Sequence, residues 1–251
     1  MVIQSCAFTI HYAPNAHIRE SLFNLEAHLT DFQHPFTLVS LPQEAPMEIP
    51  RIIAETIHGH SQLTICGNNM QLNTRFDGDF VSDIDKSVDY IETKCNSILK
   101  ALPIINGDPN SEPVFYYSGI TMTLLFDETD GIDNPVEYIN NNFLMCHSNL
   151  PVDEAQVRTA MVLDEKYYVN ILLQNIREFM GYPNERESLE GLKYRDRLQV
   201  VLDVNDRYAF NYNKGYLSTC KNVEKIATLV KQFCSQYIEK YVKEGVLEYV
   251  K

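Results

Sequence analysis

The sequence predicts an α+β protein in which two β-α-β4-α pseudo-repeats form one curved antiparallel sheet with helices on one face. Three observations support this prediction: short segments of alternating polarity, long segments with apolar residues at helical spacing, and an order of elements that occurs twice. The two halves span residues 1–106 and 113–251, and residues 107–112 connect them. The connector, GDPNSE, is polar and contains glycine and proline, which favour loops.

The first four elements are short. Residues 2–12 contain the apolar members of a strand, and Pro14-Asn15 ends that strand and supplies the cap of a helix. The helix continues to about Thr30, with its apolar residues on one side. Residues 36–40 and 51–57 predict two further strands, which are separated by a proline-rich segment.

A β-hairpin follows in the run LTICGNNMQL. On both sides of a turn, apolar residues alternate with polar or small neighbours, and these apolar residues are Leu63, Ile65, Met70 and Leu72. Gly67-Asn68-Asn69 supplies residue types that tolerate the positive φ angles of a tight turn. The run therefore predicts two adjacent antiparallel strands.

A long amphipathic helix comes next. Ser82 is a suitable N-cap, with Asp85 at the third helical position. Apolar residues then recur at steps of three and four up to Leu102, which gives the helix one apolar face. Pro103 stands where it would end the helix.

The second half begins with a strand over residues 113–126, in which Gly119 predicts a bulge. The run Asn134-Pro135-Val136-Glu137 predicts a helix start, because it places a cap, a proline at the first helical position and an acidic residue at the third. Residues 156–163 and 167–179 alternate in polarity on the two sides of the turn DEK, and they predict a second hairpin.

The end of the chain predicts the same order of elements as the earlier hairpin and helix, with a weaker pattern. LQVVLDV is a predicted strand, YAFNY a predicted returning strand, and a helix opens at Asn222. In this alignment Phe210-Asn211 falls opposite Leu72-Asn73. The shared order of elements indicates an internal repeat.

Net charge limits the classes of partner. The chain has a formal net charge of -13 and a pI of about 4.9. An acidic surface repels the phosphates of nucleic acids and anionic lipids, so binding to nucleic acid is disfavoured and a basic protein is the partner that charge favours. No stretch reaches the length of a membrane span, and the first residues lack a signal-peptide pattern. The sequence therefore predicts a soluble cytoplasmic protein without membrane contact.

Cysteines and motifs argue against metal and cofactor chemistry. None of the six cysteines belongs to a CxxC motif or a Cys/His cluster, so we expect reduced core residues and no zinc site. No GxSxG, HExxH, phosphate-binding glycine loop or GxGxxG motif occurs. We therefore predict no cofactor, no metal and no catalytic residue, which favours a protein that is not an enzyme.

Two resemblances accompany these patterns. Each half, in its order of elements, resembles the repeat of the TATA-box-binding-protein-like fold, whose curved antiparallel sheet carries helices on one face. DNA-binding members present basic and apolar residues to the minor groove, a use that the charge of -13 argues against here. The run LTICGNNMQLNTRF, followed by a helix with Tyr90-Ile91, resembles an uncharacterised, sporadically distributed bacterial family. That resemblance implies a soluble prokaryotic protein and transfers no site residue.

The sharpest local cluster is His58-Gly59-His60. Two histidines two apart on a strand would face the same side and are a familiar pair of metal ligands. The glycine between them predicts a turn instead, and no third ligand is adjacent in sequence. We therefore take His58 and His60 as candidate binding residues without a metal.

Tyrosines on predicted strands form the second group of candidate binding residues. The chain has 15 tyrosines and no tryptophan, and the candidates are Tyr116, Tyr168, Tyr208 and Tyr212. A sheet face with tyrosines can recognise a peptide or a stacked base. The alternative is structural, because aromatic residues are favoured in strands whatever the function.

These observations favour a non-catalytic binding or regulatory protein that engages a protein partner through an open sheet face or the groove between the halves. The alternative is an enzyme or small-ligand-binding protein with a polar pocket between the halves, using His58, His60, His11 or nearby tyrosines. Polar groups with perturbed titration in that groove would favour the alternative. A flat, tyrosine-lined face would favour the first hypothesis. The oligomeric state, including a homo-oligomer, stays open.

Overall fold

The structure, a computed structural model, describes residues 1–42, 44–144, 150–180 and 192–250. Nine strands occur in these residues: β1 (Val2–His11), β2 (Thr37–Leu38), β3 (Ile52–Glu55), β4 (Ser61–Ile65), β5 (Asn69–Arg75), β6 (Tyr117–Phe126), β7 (Gln156–Leu163), β8 (Tyr167–Phe179) and β9 (Tyr194–Asn205). They form a single curved antiparallel sheet in the order β2-β3-β4-β5-β1-β6-β9-β8-β7. The predicted α+β class with one curved antiparallel sheet is therefore confirmed.

Six α-helices accompany the sheet in the same residues: α1 (Leu22–His28), α2 (Ile84–Ile105), α3 (Pro135–Ile139), α4 (Arg207–Tyr212), α5 (Cys220–Gln232) and α6 (Ile238–Glu244). A 3-10 turn at Ile18–Ser21 precedes α1, and a π-helical segment, Phe233–Tyr237, joins α5 to α6. Helices α2 and α5 pack against each other, α2 contacts β1, and α5 contacts β6 and β9. These two helices thus cover the central strands, where the two halves of the sheet meet.

The apolar side chains of the sheet face these helices. Along β1, Cys6, Phe8 and Ile10 are buried, whereas the residues between them are half-buried. The same alternation continues in β5, β6, β8 and β9, whose buried members join one hydrophobic core. Because side chains alternate across a strand, this burial leaves the polar set on the opposite face.

The first half has the predicted order of elements, with two differences in detail. Asp83, not Ser82, caps α2, because its carboxylate accepts the backbone N–H of Lys86 at 2.9 Å. The helix also continues through Pro103 to Ile105. A proline in the last turn removes only one backbone donor, and the carbonyl oxygens of Leu102 and Pro103 still accept the N–H groups of Asn106 and Asp108.

The second half differs more from the prediction. Its described residues form three strands after its first helix, not four, because Tyr208–Tyr212 lies in α4 and does not return as a strand. The proposed equivalence of Phe210-Asn211 with Leu72-Asn73 in β5 is therefore wrong. Gly119 is not a bulge either, since it pairs regularly with Thr9 and Asn205. The hairpin of β7 and β8 agrees with its predicted bounds.

A buried carboxylate explains why the chain turns into a helix after β9. Asp206 is fully buried, and it accepts the backbone N–H of Ser118 and the hydroxyl of Tyr216, both at 2.7 Å. The hydroxyl of Ser218 also donates to it. Burial and the hydrogen bond to Asp206 raise the pKa of Tyr216. These contacts stop β9 and bring the chain back towards α5, so the alternating aromatic pattern of YAFNY does not make a strand.

The cysteines of the described residues are free thiols. Cys6, Cys66, Cys95 and Cys234 are buried, and Cys220 is half-buried. Burial raises the pKa of Cys234 to about 12, so this thiol stays protonated. Cys146 lies outside the described residues.

Candidate functional site

The candidate site is the face of the sheet opposite the core, which we call the open face. Its side chains alternate with the buried ones and are half-buried or exposed. They are Ile53, Glu55, Gln62, Thr64, Gln71, Asn73, Arg75, Ser5, Ala7, Thr9, His11, Tyr117, Gly119, Thr121, Thr123, Gln199, Val201, Asp203, Asn205, Tyr168, Asn170, Leu172, Gln174, Arg158, Ala160 and Val162. Amides and hydroxyls predominate in this set, so the face offers many hydrogen-bonding groups.

Asp203 lies at the centre of the open face, on β9. The side-chain amides of Asn170 and Asn205 each donate to its Oδ2 at 2.9 Å. The hydroxyl of Thr121 donates to its Oδ1 at 3.4 Å. Two of these donors come from the neighbouring strands β6 and β8, and Asn205 belongs to β9 itself, so the sheet holds the carboxylate in one orientation.

The charged side chains of the open face are nearly balanced in sign. Glu55 and Asp203 are acidic, and Arg75 and Arg158 are basic. At the far end of β8 and β9, Glu178 pairs with Arg197 at 3.4 Å, and Arg195 pairs with Asp127 at 2.7 Å. The net charge of -13 is therefore carried by other parts of the chain. The open face is thus a nearly neutral surface of amides and hydroxyls on an acidic protein.

Two of the depressions in the open face are candidate binding sites, and the larger of these two we call the polar groove. Its volume is about 550 Å³. It is lined by Ser5, Cys6, Ala7, Glu55, Gly59, His60, Ser61, Gln62, Asn73, Thr74, Arg75, Thr121 and Thr123. The groove extends from β3 and β4 of the first half across β5 and β1 to β6 of the second half.

His60 reaches the polar groove, whereas His58 does not line it. Gly59 adopts a positive φ of 71° in the turn between them, so the two histidines do not alternate along a strand. Nδ1 of His60 is 3.5 Å from a carboxylate oxygen of Asp77, and His58 is exposed. In the part of the chain that the structure describes, no three His, Cys, Asp or Glu side chains gather as metal ligands would.

The smaller depression, which we call the junction pocket, lies where β1, β6 and β9 run side by side. Its volume is about 190 Å³, and its lining residues are Thr9, His11, Tyr117, Gly119, Thr121, Asp203, Asn205 and Arg207. The rings of His11 and Tyr117 stack with centroids 4.3 Å apart, and the Arg207 guanidinium is 5.6 Å from the Tyr117 centroid. Glycine suits position 119 because a Cβ there would lie 2.8 Å from Cβ of Asn205.

The junction pocket perturbs the titration of two of its side chains. Burial, and then the charge of Arg207, lowers the pKa of His11 below its ordinary value of 6.5. Burial raises the pKa of the Tyr117 hydroxyl, and Arg207 opposes that effect. His11 is therefore neutral near pH 7 and offers one ring nitrogen as a donor and the other as an acceptor.

The His11→Gln variant is expected to lose less free energy of unfolding than the wild type when the pH falls from neutral to mildly acidic. A histidine with a lowered pKa in the folded state binds its proton more readily in the unfolded state. Its contribution to stability is therefore present above the unfolded pKa of about 6.5 and is lost as the pH falls below it. Urea unfolding at about pH 7.5 and about pH 5.5 measures the difference. The exposed His58→Gln variant should keep the wild-type pH dependence, and the same dependence in His11→Gln would contradict the assignment.

A cluster of rings, which we call the aromatic end, adjoins the junction pocket along α4. Its members are Tyr116, Tyr117, Tyr168, Tyr208, Phe210 and Tyr212. The centroid of Phe210 is 5.5 Å from that of Tyr116 and 5.2 Å from that of Tyr117. On the other side of α4, Tyr208 is 5.2 Å from Tyr168 and 4.6 Å from Tyr212. Tyr212 is 67% exposed and Phe210 is 37% exposed, so the cluster is part of the surface.

Three of the six predicted site residues, Tyr168, Tyr208 and Tyr212, form one group of contacting rings, and Tyr116 lies against Phe210 on the other side of α4. Tyr208 and Tyr212 lie on a helix and Tyr116 precedes β6, so of these four only Tyr168 lies on a strand. His58 and His60 lie elsewhere. His60 adjoins Ser61, which pairs with Thr74 near the other end of the sheet. On β1, Ser5 pairs with Arg75, whose N–H donates to the carbonyl of His60, and His11 stacks on Tyr117 of the aromatic end. Ser5 and His11 are six residues apart along the strand, which corresponds to a distance on the order of 20 Å.

Sequence reasoning missed Asp203, Arg207 and the pairing partner Tyr117 as site residues. Arg207 lies outside the runs LQVVLDV and YYSGITMT, whereas for Asp203 and Tyr117 the signal was present in the alternation of polar residues along these two runs, which predicts one polar face per strand. It does not tell which strands are neighbours, because β6 and β9 are separated by two other strands in the sequence. No local sequence pattern therefore predicted the junction pocket.

Comparisons with known proteins add no further constraint on the site. No helix in the described ranges combines the length and apolar character that crossing a membrane requires. No model of a known protein family matches the chain, and a search of curated proteins found no match to it.

Proposed function

We propose that this chain is a non-catalytic binding protein that engages a protein partner on its open face, with the aromatic end as the main contact. The observation that carries the proposal is the aromatic end, where rings from three separate parts of the chain meet at the surface. Tyrosine and other aromatic rings supply much of the binding energy at protein interfaces, because they bury a large area at low cost in conformational entropy.

The rest of the open face supports the same function. Its amides and hydroxyls are held by one another, as when the amide of Gln174 donates to Gln199 at 2.6 Å and that of Gln199 to Gln4 at 3.3 Å. Such groups can exchange these bonds for bonds to a partner, which gives orientation and specificity around an aromatic contact. A face of amides, hydroxyls and aromatic rings can bind a protein partner without any catalytic group.

Charge sets the kind of partner and how salt acts on binding. The chain's net charge of -13 attracts a basic protein at long range, while the open face itself is balanced. We therefore expect added salt to slow association and to change dissociation little, since dissociation depends on the close aromatic contacts.

Photo-crosslinking tests this proposal at single positions. A photoreactive amino acid at Tyr212, in the aromatic end, should crosslink to a basic protein in native lysate. The same amino acid at Lys100, an exposed position of α2, should not crosslink to it. The partner identified in this way is then titrated against the wild type and against Phe210→Ser, which should lower the affinity at least about tenfold.

Two outcomes would contradict the proposal. One is equal crosslinking from Tyr212 and Lys100, which would show that the open face is not preferred. The other is unchanged affinity in Phe210→Ser while the variant keeps the wild-type midpoint of urea unfolding. Because Phe210 is exposed by 37%, its replacement should leave the fold intact.

A small-ligand-binding protein or an enzyme is the second candidate, and the junction pocket favours it. Neutral His11, Asp203 and Arg207 line one cavity between the halves, and a polar cavity with perturbed titration is typical of ligand sites. Under this function, the purified protein would carry or bind a small molecule that Arg207→Gln loses. The protein crosslinks from Tyr212 would then be absent.

We also propose that the two halves are diverged copies of one unit, of the kind found in the TATA-box-binding-protein-like fold, and that the protein works in a prokaryotic cytoplasm. The order of strands in the sheet supports the proposal that the two halves are copies of one unit. From the centre outwards the first half runs β1-β5-β4-β3-β2, and the second runs β6-β9-β8-β7. In each half the first strand is central and the last strand lies next to it, so the second half corresponds to the first with one strand fewer.

A further inference from the structure

Two arginines line a pocket that shares no residue with the open face. The pocket has a volume of about 270 Å³ and lies between the 3-10 turn before α1 and the proline-rich segment that leads to β3. Its lining residues are Ala16, His17, Arg19, Glu20, Leu41, Pro42 and Arg51. We call it the arginine pocket.

Arg51 is the more unusual of the two arginines, because only 5% of it is exposed. Its Nη2 donates to the carbonyl oxygen of Ala45 at 2.6 Å and to that of Pro46 at 3.1 Å. Its Nη1 is buried and has no hydrogen-bond partner among the described residues. One side of a buried guanidinium therefore lacks an acceptor, and such groups are rare in folded proteins.

Arg19 repeats this arrangement from the other wall of the pocket. Its Nη1 donates to the carbonyl oxygen of Leu41 at 3.1 Å, and its Nη2 donates to that of Val39 at 2.6 Å. Its Nε is buried and has no partner in the described part of the chain. Both arginines thus hold the same proline-rich segment and each retains a donor that this role does not use.

Neither guanidinium has a carboxylate of the described residues within ion-pair distance. Glu20, in the wall of the pocket, is bound to Nδ1 of His17 at 2.8 Å. The nearby Glu48 accepts the side-chain amide of Asn68 at 3.1 Å. A buried positive charge without a counter-ion is unfavourable, and backbone carbonyls offset only part of that cost.

We propose that the arginine pocket binds a small anion with carboxylate or phosphate oxygens. Each arginine keeps one nitrogen that the segment does not use, Nη1 of Arg51 and Nε of Arg19. An anion here would accept charge-assisted hydrogen bonds from these two guanidinium groups and would neutralise the charge of Arg51. One water needs only about 10–15 Å³ of comparable space, so 270 Å³ has room for a phosphate or a small organic acid. Since Arg19 and Arg51 both hold the proline-rich segment, the anion would also stabilise that segment.

Isothermal titration with inorganic phosphate and with citrate tests the proposal on the full chain, at constant ionic strength in sodium chloride. The wild type is expected to bind at least one of these probes, and Arg19→Gln to bind it at least about tenfold more weakly. Arg19 is the position of choice because Arg51 is buried and its loss endangers the fold. Arg75→Gln removes an exposed arginine of the open face and should keep wild-type affinity.

Thermal unfolding supplies an independent readout. An anion that binds only the folded protein raises the unfolding midpoint as its concentration rises above Kd. The rise should be lost in Arg19→Gln and kept in Arg75→Gln. Equal rises in all three proteins would show a general salt effect and overturn the site. So would the absence of binding of both probes to the wild type, because the arginines would then serve only to hold the segment.

Discussion

Replacing Phe8 with alanine is expected to lower the free energy of unfolding by about 3–5 kcal/mol, because a large buried ring is lost and a cavity remains. Phe8 is 1% exposed, and it pairs with Leu72 of β5 on one side and Ile120 of β6 on the other. It therefore stands where the two halves of the sheet join. We expect both halves to lose stability together, in a single transition.

The decisive observation is whether the two halves unfold together in one cooperative transition. Strands β1 and β6 pair over their whole length, and α2 packs on α5 from the other half. Urea unfolding followed by circular dichroism gives the free energy, and hydrogen exchange of peptides from residues 1–106 and 113–251 shows whether the halves unfold together. Phe23→Ala is the matched control, because Phe23 is 79% exposed and its loss should cost less than about 0.5 kcal/mol. Separate transitions would mean that the halves are independent domains.

The second large effect is expected for Asp206→Ala, which should lower the free energy of unfolding by about 3–5 kcal/mol. Three buried or part-buried donors, the N–H of Ser118 and the hydroxyls of Tyr216 and Ser218, would lose their acceptor. Each unsatisfied buried donor costs about 1–3 kcal/mol. Because Asp206 ends β9 and precedes α4, hydrogen exchange in residues 207–213 should also rise.

Two further variants separate hydrogen bonding from charge. Asp206→Asn keeps one side-chain acceptor and should lose less stability than Asp206→Ala. Asp133→Ala removes an exposed carboxylate before α3 and should stay within about 0.5 kcal/mol of the wild type. If Asp206→Ala unfolds at the wild-type urea concentration, the buried network does not anchor α4, and the explanation given for the helix at Tyr208–Tyr212 is wrong.

Local patterns predicted most of the sheet. The hairpin of β7 and β8 agrees with its predicted bounds because the alternation of polarity is strict on both sides of the turn. The turn itself uses two residues with positive φ, Asp164 at 53° and Glu165 at 50°. The start of α3 is likewise local, since Asn134 accepts the N–H of Glu137 at 3.2 Å as a cap should.

The aromatic run at the end of β9 shows where local patterns fail. Rings at Tyr208, Phe210 and Tyr212 alternate as in a strand, yet the buried residue among them is Ala209, and its N–H donates to the carbonyl of Lys166. The competing influence is the carboxylate of Asp206, whose partners at Ser118 and Ser218 are distant in sequence. A contact of that range has no signature in a five-residue window.

By itself, the sequence determined the alternating strands, the amphipathic helices and the class of fold, because these follow from neighbours within a few positions, and it determined the acidic charge through its composition. The tertiary structure alone decided the site. Thr121, Asn170 and Asp203 meet because β6, β8 and β9 are adjacent in the sheet. That order, and with it the junction pocket and the aromatic end, depends on how the buried faces pack under α2 and α5 and on a few buried hydrogen bonds, which act between residues far apart in the chain.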